Sequence, residues 1–396
     1  MNTSTLKAIA LVDCDSFFAS CEQLINPALL NQPVCVMSNN NGCVIARSRE
    51  AKELGVKMAM PVFQAKKIFP QVHYIVGKHD LYEEISARII RVLKDFSPTV
   101  EVYSIDEAFI DLTGLDKLYR KSYLEIALSI RNAVKNNVGI SVSVGVSSTK
   151  TLAKLATRRA KKLNGIYEIS FQDIDNELIK TDLIDIWGMG ANTVSLLNKF
   201  GLYTAYEFII QGDNFADKIL GKRGLELKLE LTGKRVYAIN NEVTLPKSIQ
   251  KTSSFGKFTS NEQYIKDSIY YHAHRACTKL RKLRQKTQTI GIMLRTKDFK
   301  VYSSKHVLVH PTNWEFEIFE SINKVFCDIF NPNIIYRSSG VVLENLTEEH
   351  HSQLSLFDSL HNQVKQQNLA KVWDKLETKY GKNVILIGNQ NIKNLN

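Results

Sequence analysis

The stretch Lys7-Ala-Ile-Ala-Leu-Val-Asp-Cys14 is apolar from Ala8 until it meets a carboxylate at Asp13, which reads as a buried β-strand carrying charge only at its C-terminal end. Asp15 follows two residues later, and the two-residue period of a strand puts both carboxylates on one face of a sheet. Working outward, Pro33 to Arg47 predicts two strands joined at Asn-Asn-Asn-Gly, with Asn41-Gly42 as the hairpin signal. Two short helical patterns follow. Leu81 to Phe96 sets Ile85, Ile89, Val92 and Phe96 on one helical face and stops before Pro98. Alternation around Val100, Val102, Phe109 and Leu112 is broken by Ser104-Ile-Asp-Glu107, a second hairpin with acids at its turn. Leu124 to Val138 is again helical, and Ile140, Val142, Val144 and Val146 alternate as a strand. With an insertion at 22–76 set aside, the order is β-α-β-β-α-β, the ferredoxin-like arrangement. Its first strand lies beside the hairpin, so Asp13 and Asp15 are expected to meet Asp106 and Glu107 above the sheet.

Residues 182–240 are mostly helical and punctuated by glycine, and 240–250 reads as a linker. From Thr252 a strand, a helix (Gln263 to Leu283), two strands (Gln288 to Thr296, Lys300 to Val309), a helix (Trp314 to Phe330) and a strand (Ser338 to Leu343) repeat β-α-β-β-α-β without a sequence repeat. The fold class is therefore α+β in several domains. The chain's 396 residues, 44% hydrophobic and 23% charged, exclude a disordered or low-complexity chain. The formal charge of +12 points to a polyanionic partner. Six cysteines form no CxxC pair and nine histidines have no zinc-finger spacing, so no structural zinc site is expected. The apolar run Ala8 to Val12 is too short for a signal sequence or a membrane span, which predicts a cytoplasmic protein with reduced cysteines.

Clustered carboxylates repel unless a cation shares them, and oxygen ligands suit Mg²⁺. Two such ions about 3.5–4 Å apart activate a hydroxyl and stabilise a leaving pyrophosphate. Read singly, each acid is a solvated turn residue; only their combination points to a metal site. Positive charge is concentrated: between Lys247 and Lys305 fourteen Lys or Arg stand against three acids, a net +11. Arg275, Lys279 and Lys282 fall on one helix face there, as a phosphate-tracking surface requires. Leu183-Ile-Asp-Ile-Trp-Gly-Met-Gly190, followed by a helical stretch, reads either as a helix-hairpin-helix offering backbone N–H groups to a phosphate or as an ordinary turn. His272 and His274 line the basic helix, and the cysteines near Asp13 are read as buried fillers.

Asp13-Cys-Asp-Ser-Phe-Phe-Ala-Ser-Cys-Glu22, Ser104-Ile-Asp-Glu-Ala-Phe109 and Trp187-Gly-Met-Gly190 together resemble the Y-family, or translesion, DNA polymerases. Ser38-Asn-Asn-Asn-Gly-Cys-Val-Ile-Ala-Arg-Ser48, Ser253-Ser-Phe-Gly256 and Gln353-Leu-Ser-Leu-Phe357 are most similar to the UmuC branch, the catalytic subunit of DNA polymerase V. The resemblance implies a right-hand polymerase: palm at 1–21 and 77–170, fingers at 22–76, helical thumb at 171–240, little finger at 248–345 and a C-terminal tail at 346–396. It implies that Asp106 and Glu107 are catalytic and, with Asp13 and the Cys14 carbonyl, ligate two Mg²⁺ ions. Phe17 and Phe18 would meet the nucleotide, with the Phe18 ring excluding a 2′-hydroxyl, and Lys52 and Lys161 would hold the triphosphate. Gly188, Gly190, Lys251, Ser253, Ser254, Arg275, Lys279 and Lys282 would contact DNA. Gln353, Leu354, Leu356 and Phe357, which by themselves read equally as the start of an amphipathic helix packing on the last domain, would by this resemblance dock on the sliding clamp.

The implied activity is low-fidelity synthesis across damaged bases in the SOS response, on primed or damaged DNA with dNTPs. A UmuD-like protein and RecA are the implied partners, and no membrane is involved. Arg49 stands where many members have an aromatic residue. Phe18 stands where UmuC relatives usually carry Tyr and the DinB branch carries Phe, and the chain ends at Asn396 with part of the usual UmuC tail expected to be absent. A catalytically idle DNA- or clamp-binding factor would not need three metal carboxylates, and a nucleotidyl cyclase would not need the basic domain. A DinB-like polymerase working alone is the nearest alternative.

Overall fold

The apolar run at the N-terminus forms β1 (Ile9–Cys14), buried along its whole length in the middle of a five-stranded sheet. The computed structural model describes residues 7–38, 42–242, 245–349, 360–381 and 385. The chain divides into two units, Met1–Met37 with Cys43–Glu242 and Ser38–Gly42 with Val243–Asn396.

In the first unit β1 leads into α1 (Phe17–Ile25), and then into an insertion of β2 (Val34–Met37), β3 (Val44–Arg47), α2 (Arg49–Glu53), α3 (Val62–Ile68) and β4 (His73–Val76). The insertion has its own sheet, ordered β3-β2-β4, and its own core around Cys35, Val44, Val56 and Val72. Its first two strands pair antiparallel as the sequence predicts; the Asn39 to Asn41 part of the turn lies outside the described residues.

The main layer resumes with α4 (His79–Lys94), β5 (Val100–Val102), β6 (Glu107–Asp111), α5 (Leu115–Tyr119), α6 (Tyr123–Val138), β7 (Val142–Ser147), α7 (Lys150–Ala160) and β8 (Ile166–Glu168). The sheet order β5-β6-β1-β7-β8 is the ferredoxin-like order extended by β8, which runs parallel to β7. Even-numbered residues of β1 (Ala10, Val12, Cys14) share a core with Ile85 and Ile89 of α4 and Ile126 and Ile130 of α6. Odd-numbered Ile9 and Leu11 share the other face with Phe109 of β6 and Ala153 of α7. Helix α7 lies against the sheet backbone itself: a Cβ on Gly145 of β7 would stand 2.0 Å from the Thr157 nitrogen, and the Thr157 hydroxyl donates to the Leu11 carbonyl at 3.1 Å.

The helical segment consists of α8 (Ile174–Ile179), α9 (Ala191–Asn198), α10 (Ala205–Ile209) and α11 (Asp213–Leu231), whose core includes Leu152 and Leu155 of α7. The linker expected over 240–250 ends by Ser248, where β9 begins, and the chain leading from α11 into its first residues is tied back to the first unit. Arg235 Nη1 lies 3.2 Å from Asp111 Oδ2, Glu230 accepts from the Val236 and Tyr237 N–H groups at 2.7 and 3.0 Å, and Glu101 accepts from the Asn240 N–H at 2.6 Å. Asn241 Nδ2 donates to the Pro98 carbonyl at 3.1 Å.

The second unit runs β9 (Ser248–Thr259), α12 (Glu262–Lys282), β10 (Gln285–Thr296), β11 (Val301–Thr312), α13 (Glu315–Ile329), β12 (Tyr336–Glu348) and α14 (Leu360–Tyr380). The β-α-β-β-α-β order is as predicted, but the strands pair as β11-β10-β12-β9, all antiparallel. Here the last strand is inserted between the second and the first, whereas in the first unit the first strand is inserted between the third and the fourth. The two units therefore share an element order and not a topology. Helix α14 buries Ala370 and Trp373, the latter stacked on His274 of α12 at 4.7 Å.

Candidate active site

Three acids meet at one end of the β1–β6 pair. Asp13 is the register partner of Glu107, and the Cys14 N–H donates to the Asp106 carbonyl at 2.9 Å. Asp13 falls on the α7 face of β1 by strand alternation. Asp15, one residue past the strand, is held toward β7 by the Ser143 hydroxyl at 2.8 Å. Each of the three acids has a partner: Ser104 donates to Asp106 at 2.6 Å, Lys154 reaches Glu107 at 3.1 Å and Lys161 reaches Asp13 at 2.7 Å.

Burial pushes the Asp13 carboxyl up to about 7, against the pull of Lys161 and with Glu107 adding to the rise. Burial likewise raises Asp15, and it raises the Cys14 thiol, which the neighbouring Asp13 and Asp106 lift further. Such a group of half-desolvated carboxylates is stable as anions only with cations beside it, a role that Lys154 and Lys161 fill. Among the described residues no three His, Cys, Asp or Glu side chains are gathered as a ready-made metal cluster, since each acid is turned to its own partner. The donors are all oxygen, they are desolvated and they start from one register pair, which fits a hard cation such as Mg²⁺.

Positive groups ring the mouth of this site. Lys52 of α2 donates to the Ser16 hydroxyl at 2.7 Å, and its pKa is lowered by burial and by the nearby charges of Arg47 and Lys161. Like charges gathered this way disfavour the protonated form of Lys52 unless an anion lies beside them. A cleft of about 360 Å³ beside them is lined by Asp13, Glu107, Lys154, Arg158, Lys161 and Trp187. Phe17 is buried in the core, so any contact it makes with a ligand comes from its backbone N–H at the start of α1. Phe18 is half-buried and lies flat on Tyr82, with centroids 4.5 Å apart and planes at 16°. Arg49 is paired with Glu53 at 2.8 Å on the surface.

The turn before α9 has Gly188 at φ +91° and Gly190 at the helix N-cap, with no side chain capping the helix. A Cβ at either glycine would meet no atom of the chain within 4 Å, so the open space there lies outside the protein. Trp187 turns inward onto Tyr103, Phe109 and Tyr237 at 5.6, 6.5 and 6.0 Å, and Lys154 sits over its ring at 5.3 Å. Lys150, Lys154 and Arg158, absent from the sequence reading, lie with Lys161 at four- and three-residue spacing; a scan for one-sided helical charge would have found them.

In the second unit the expected DNA contacts are divided between surfaces. Ser253 points to the helices, 3.2 Å from His272, as does Phe255 against Tyr264; Ser254 alternates to the open side, with Thr252 and Met293 around Gly340. Lys251 is on the His272 side, where its charge acts on that ring. Lys279 and Lys282 are exposed on α12 and Arg275 is half-buried, so these three lie in the helix layer and not on the open sheet face. His272 and His274 are both buried, the second between Glu315 and Glu377 at 3.2 and 3.0 Å. Residues 353–357 lie outside the described residues. No described helix is long and apolar enough to cross a membrane.

Comparison with known proteins matches residues 12–158 to the impB/mucB/samB family and residues 246–356 to the impB/mucB/samB family C-terminal domain. Protein UmuC of Salmonella typhimurium is 32% identical over 96% of this chain and 93% of its own, and protein ImpB of the same species 32% identical over 93% and 89%. DNA polymerase IV of Treponema denticola is 29% identical over 96% of both. Among solved structures, a chimeric Y-family DNA polymerase superposes with a TM-score of 0.71 at 26% identity, covering 86% of this chain and 99% of its own. With the paired acids, the basic mouth and these matches on both units, the chain belongs to the impB/mucB/samB family, the Y-family of DNA polymerases.

Proposed function

We propose that the protein performs translesion synthesis by two-metal nucleotidyl transfer, as a member of the UmuC branch. The observation that carries this reading is the Asp13–Glu107 register pair beside Asp106, desolvated and ringed by Lys52, Lys154 and Lys161. Asp13, the Cys14 carbonyl, Asp106 and Glu107 would hold two Mg²⁺ ions, which when bound activate the primer 3′-hydroxyl and stabilise the departing pyrophosphate. Lys161 and Lys52 would take the triphosphate, Lys161 leaving Asp13 as it does so. The Phe18 ring would lie under the sugar as the steric gate. The Gly188–Gly190 turn would receive a duplex phosphate, and Lys251, Ser253, Ser254, Arg275, Lys279 and Lys282 would serve the second unit's contacts with DNA.

The 1–21 and 77–170 region would be the palm, 22–76 small fingers, 171–240 the thumb and 248–345 the little finger. Fingers built on three short strands test base-pair shape weakly, which supports low fidelity. Likeness to UmuC and ImpB over nearly the whole chain supports a cytoplasmic SOS role with a UmuD-like protein and RecA. Gln353 to Phe357 would dock on the sliding clamp. Phe18 favours a second reading, a DinB-like polymerase that works alone.

Primer extension past an abasic site, with Mg²⁺ and beside Asp106→Ala, tests the central reading. Extension by the wild type and none by the variant is expected; equal extension by both would remove the metal site. Dependence on added UmuD-like protein and RecA separates the UmuC branch from the lone polymerase.

A further inference from the structure

Helix α1 grips Tyr82 of α4 at two points four residues apart. Phe18 stacks on its ring, and Glu22, one turn later on the same helix face, accepts from its hydroxyl at 2.8 Å. Glu22 is 2% exposed, and its second oxygen lies 3.3 Å from Lys78 Nζ. Tyr82 is fully buried, and His79 meets both aromatic rings edge-on at 5.7 and 5.9 Å. A carboxylate in such a place is costly to desolvate, and a hydrophobic residue of similar volume would pack there at lower cost. What the carboxylate supplies instead is direction. A stacked ring alone is free to slide or tilt on its partner, but a ring whose hydroxyl is tied to a buried, ion-paired acid is not.

We infer that Glu22 is a positioning residue for sugar selection: acting through Tyr82, it fixes the tilt and height of the Phe18 ring and so the force with which a ribonucleotide 2′-hydroxyl is rejected. The inference rests on the reading of Phe18 as the steric gate. A flat ring excludes one oxygen by a margin smaller than its own thickness, so a shift of about 1 Å is enough to relieve the clash, as displacements of that size alter reactivity by up to ~100-fold.

The test is the ratio of kcat/KM for dNTP and rNTP insertion by the full chain with Mg²⁺ and primed DNA, in wild type, Phe18→Ala, Tyr82→Phe, Glu22→Ala and Glu22→Gln. Tyr82→Phe and Glu22→Ala are each expected to relax discrimination about tenfold, chiefly through a lower rNTP KM, with dNTP kcat/KM held within about threefold. Glu22→Gln, which keeps an acceptor for the Tyr82 hydroxyl, is expected to restore most of the discrimination lost in Glu22→Ala. A merely structural Glu22 would lower both substrates together and leave the ratio unchanged, which overturns the inference. A ratio lost in Phe18→Ala but intact in Tyr82→Phe and Glu22→Ala overturns it while sparing the gate; a ratio intact in Phe18→Ala removes the gate and the inference with it. Should Glu22→Ala fail to fold, Tyr82→Phe, which removes one oxygen, decides alone.

Discussion

Lys161 Nζ stands 2.7 Å from Asp13 Oδ2, so the first carboxylate of the proposed metal set is neutralised by the residue proposed for the triphosphate. The two roles are coupled, because Lys161 must leave one anion to reach the other. Lys161→Met is expected to raise the dNTP KM about tenfold, since a charge-assisted contact to phosphate is lost. Steady-state kinetics with an unchanged KM would detach Lys161 from the nucleotide.

Gly145 is where α7 rests on β7, and a methyl group there would collide with the Thr157 nitrogen at 2.0 Å. Gly145→Ala is expected to cost about 3 kcal/mol, the upper end for overpacking. Because α7 carries Lys154 and leads to Lys161, activity should fall in whatever protein folds. Urea denaturation and primer extension on the same preparation check both effects.

Two histidines of α12 give the second unit opposite pH limbs. Burial opposes charge on His274, but hydrogen bonds and charge from Glu315 of α13 and Glu377 of α14 outweigh it and lift its pKa to about 9. Arg281 and Asp374 complete the surrounding charges. The stability His274 confers is present in full below its unfolded value near 6.5 and is lost as pH rises through about 9. His272 is instead held neutral, its pKa pushed down to about 4 by burial and by Lys251, so stability declines as pH falls from 6.5 toward 4. Denaturation midpoints measured from pH 4 to 10 should show both limbs. His274→Gln should flatten the alkaline one and His272→Gln the acid one.

Leu356→Ala with Phe357→Ala is expected to abolish stimulation by the sliding clamp and to leave unstimulated synthesis unchanged. Equal loss of both activities would show that the pentapeptide is needed for folding.

Sequence alone reached the acidic end of the first sheet because its strands are continuous apolar runs and their charges fall at the ends. β1 and β6 could be placed side by side before any coordinates, and Asp13 does face Glu107. Helix α7 was missed for a physical reason. It meets the sheet through Ala153 and Ala156 at a glycine and offers only Leu152 and Leu155 as large apolar residues, too few to stand out from its Lys and Arg. The strand order of the second sheet was equally hidden, because β-α-β-β-α-β constrains succession and not pairing. The contacts of Glu22, Glu101 and Glu230 were out of reach as well, since an isolated acid in sequence carries no sign of the partner that buries it.

Trp187 belongs to the turn that ends at Gly188–Gly190, yet its ring lies among the side chains of the strands that carry Glu107. Turn and acidic strand ends are thus tied together through one aromatic side chain. The duplex phosphate proposed for the turn would thereby be gauged against the carboxylates, like a workpiece against a fixed stop.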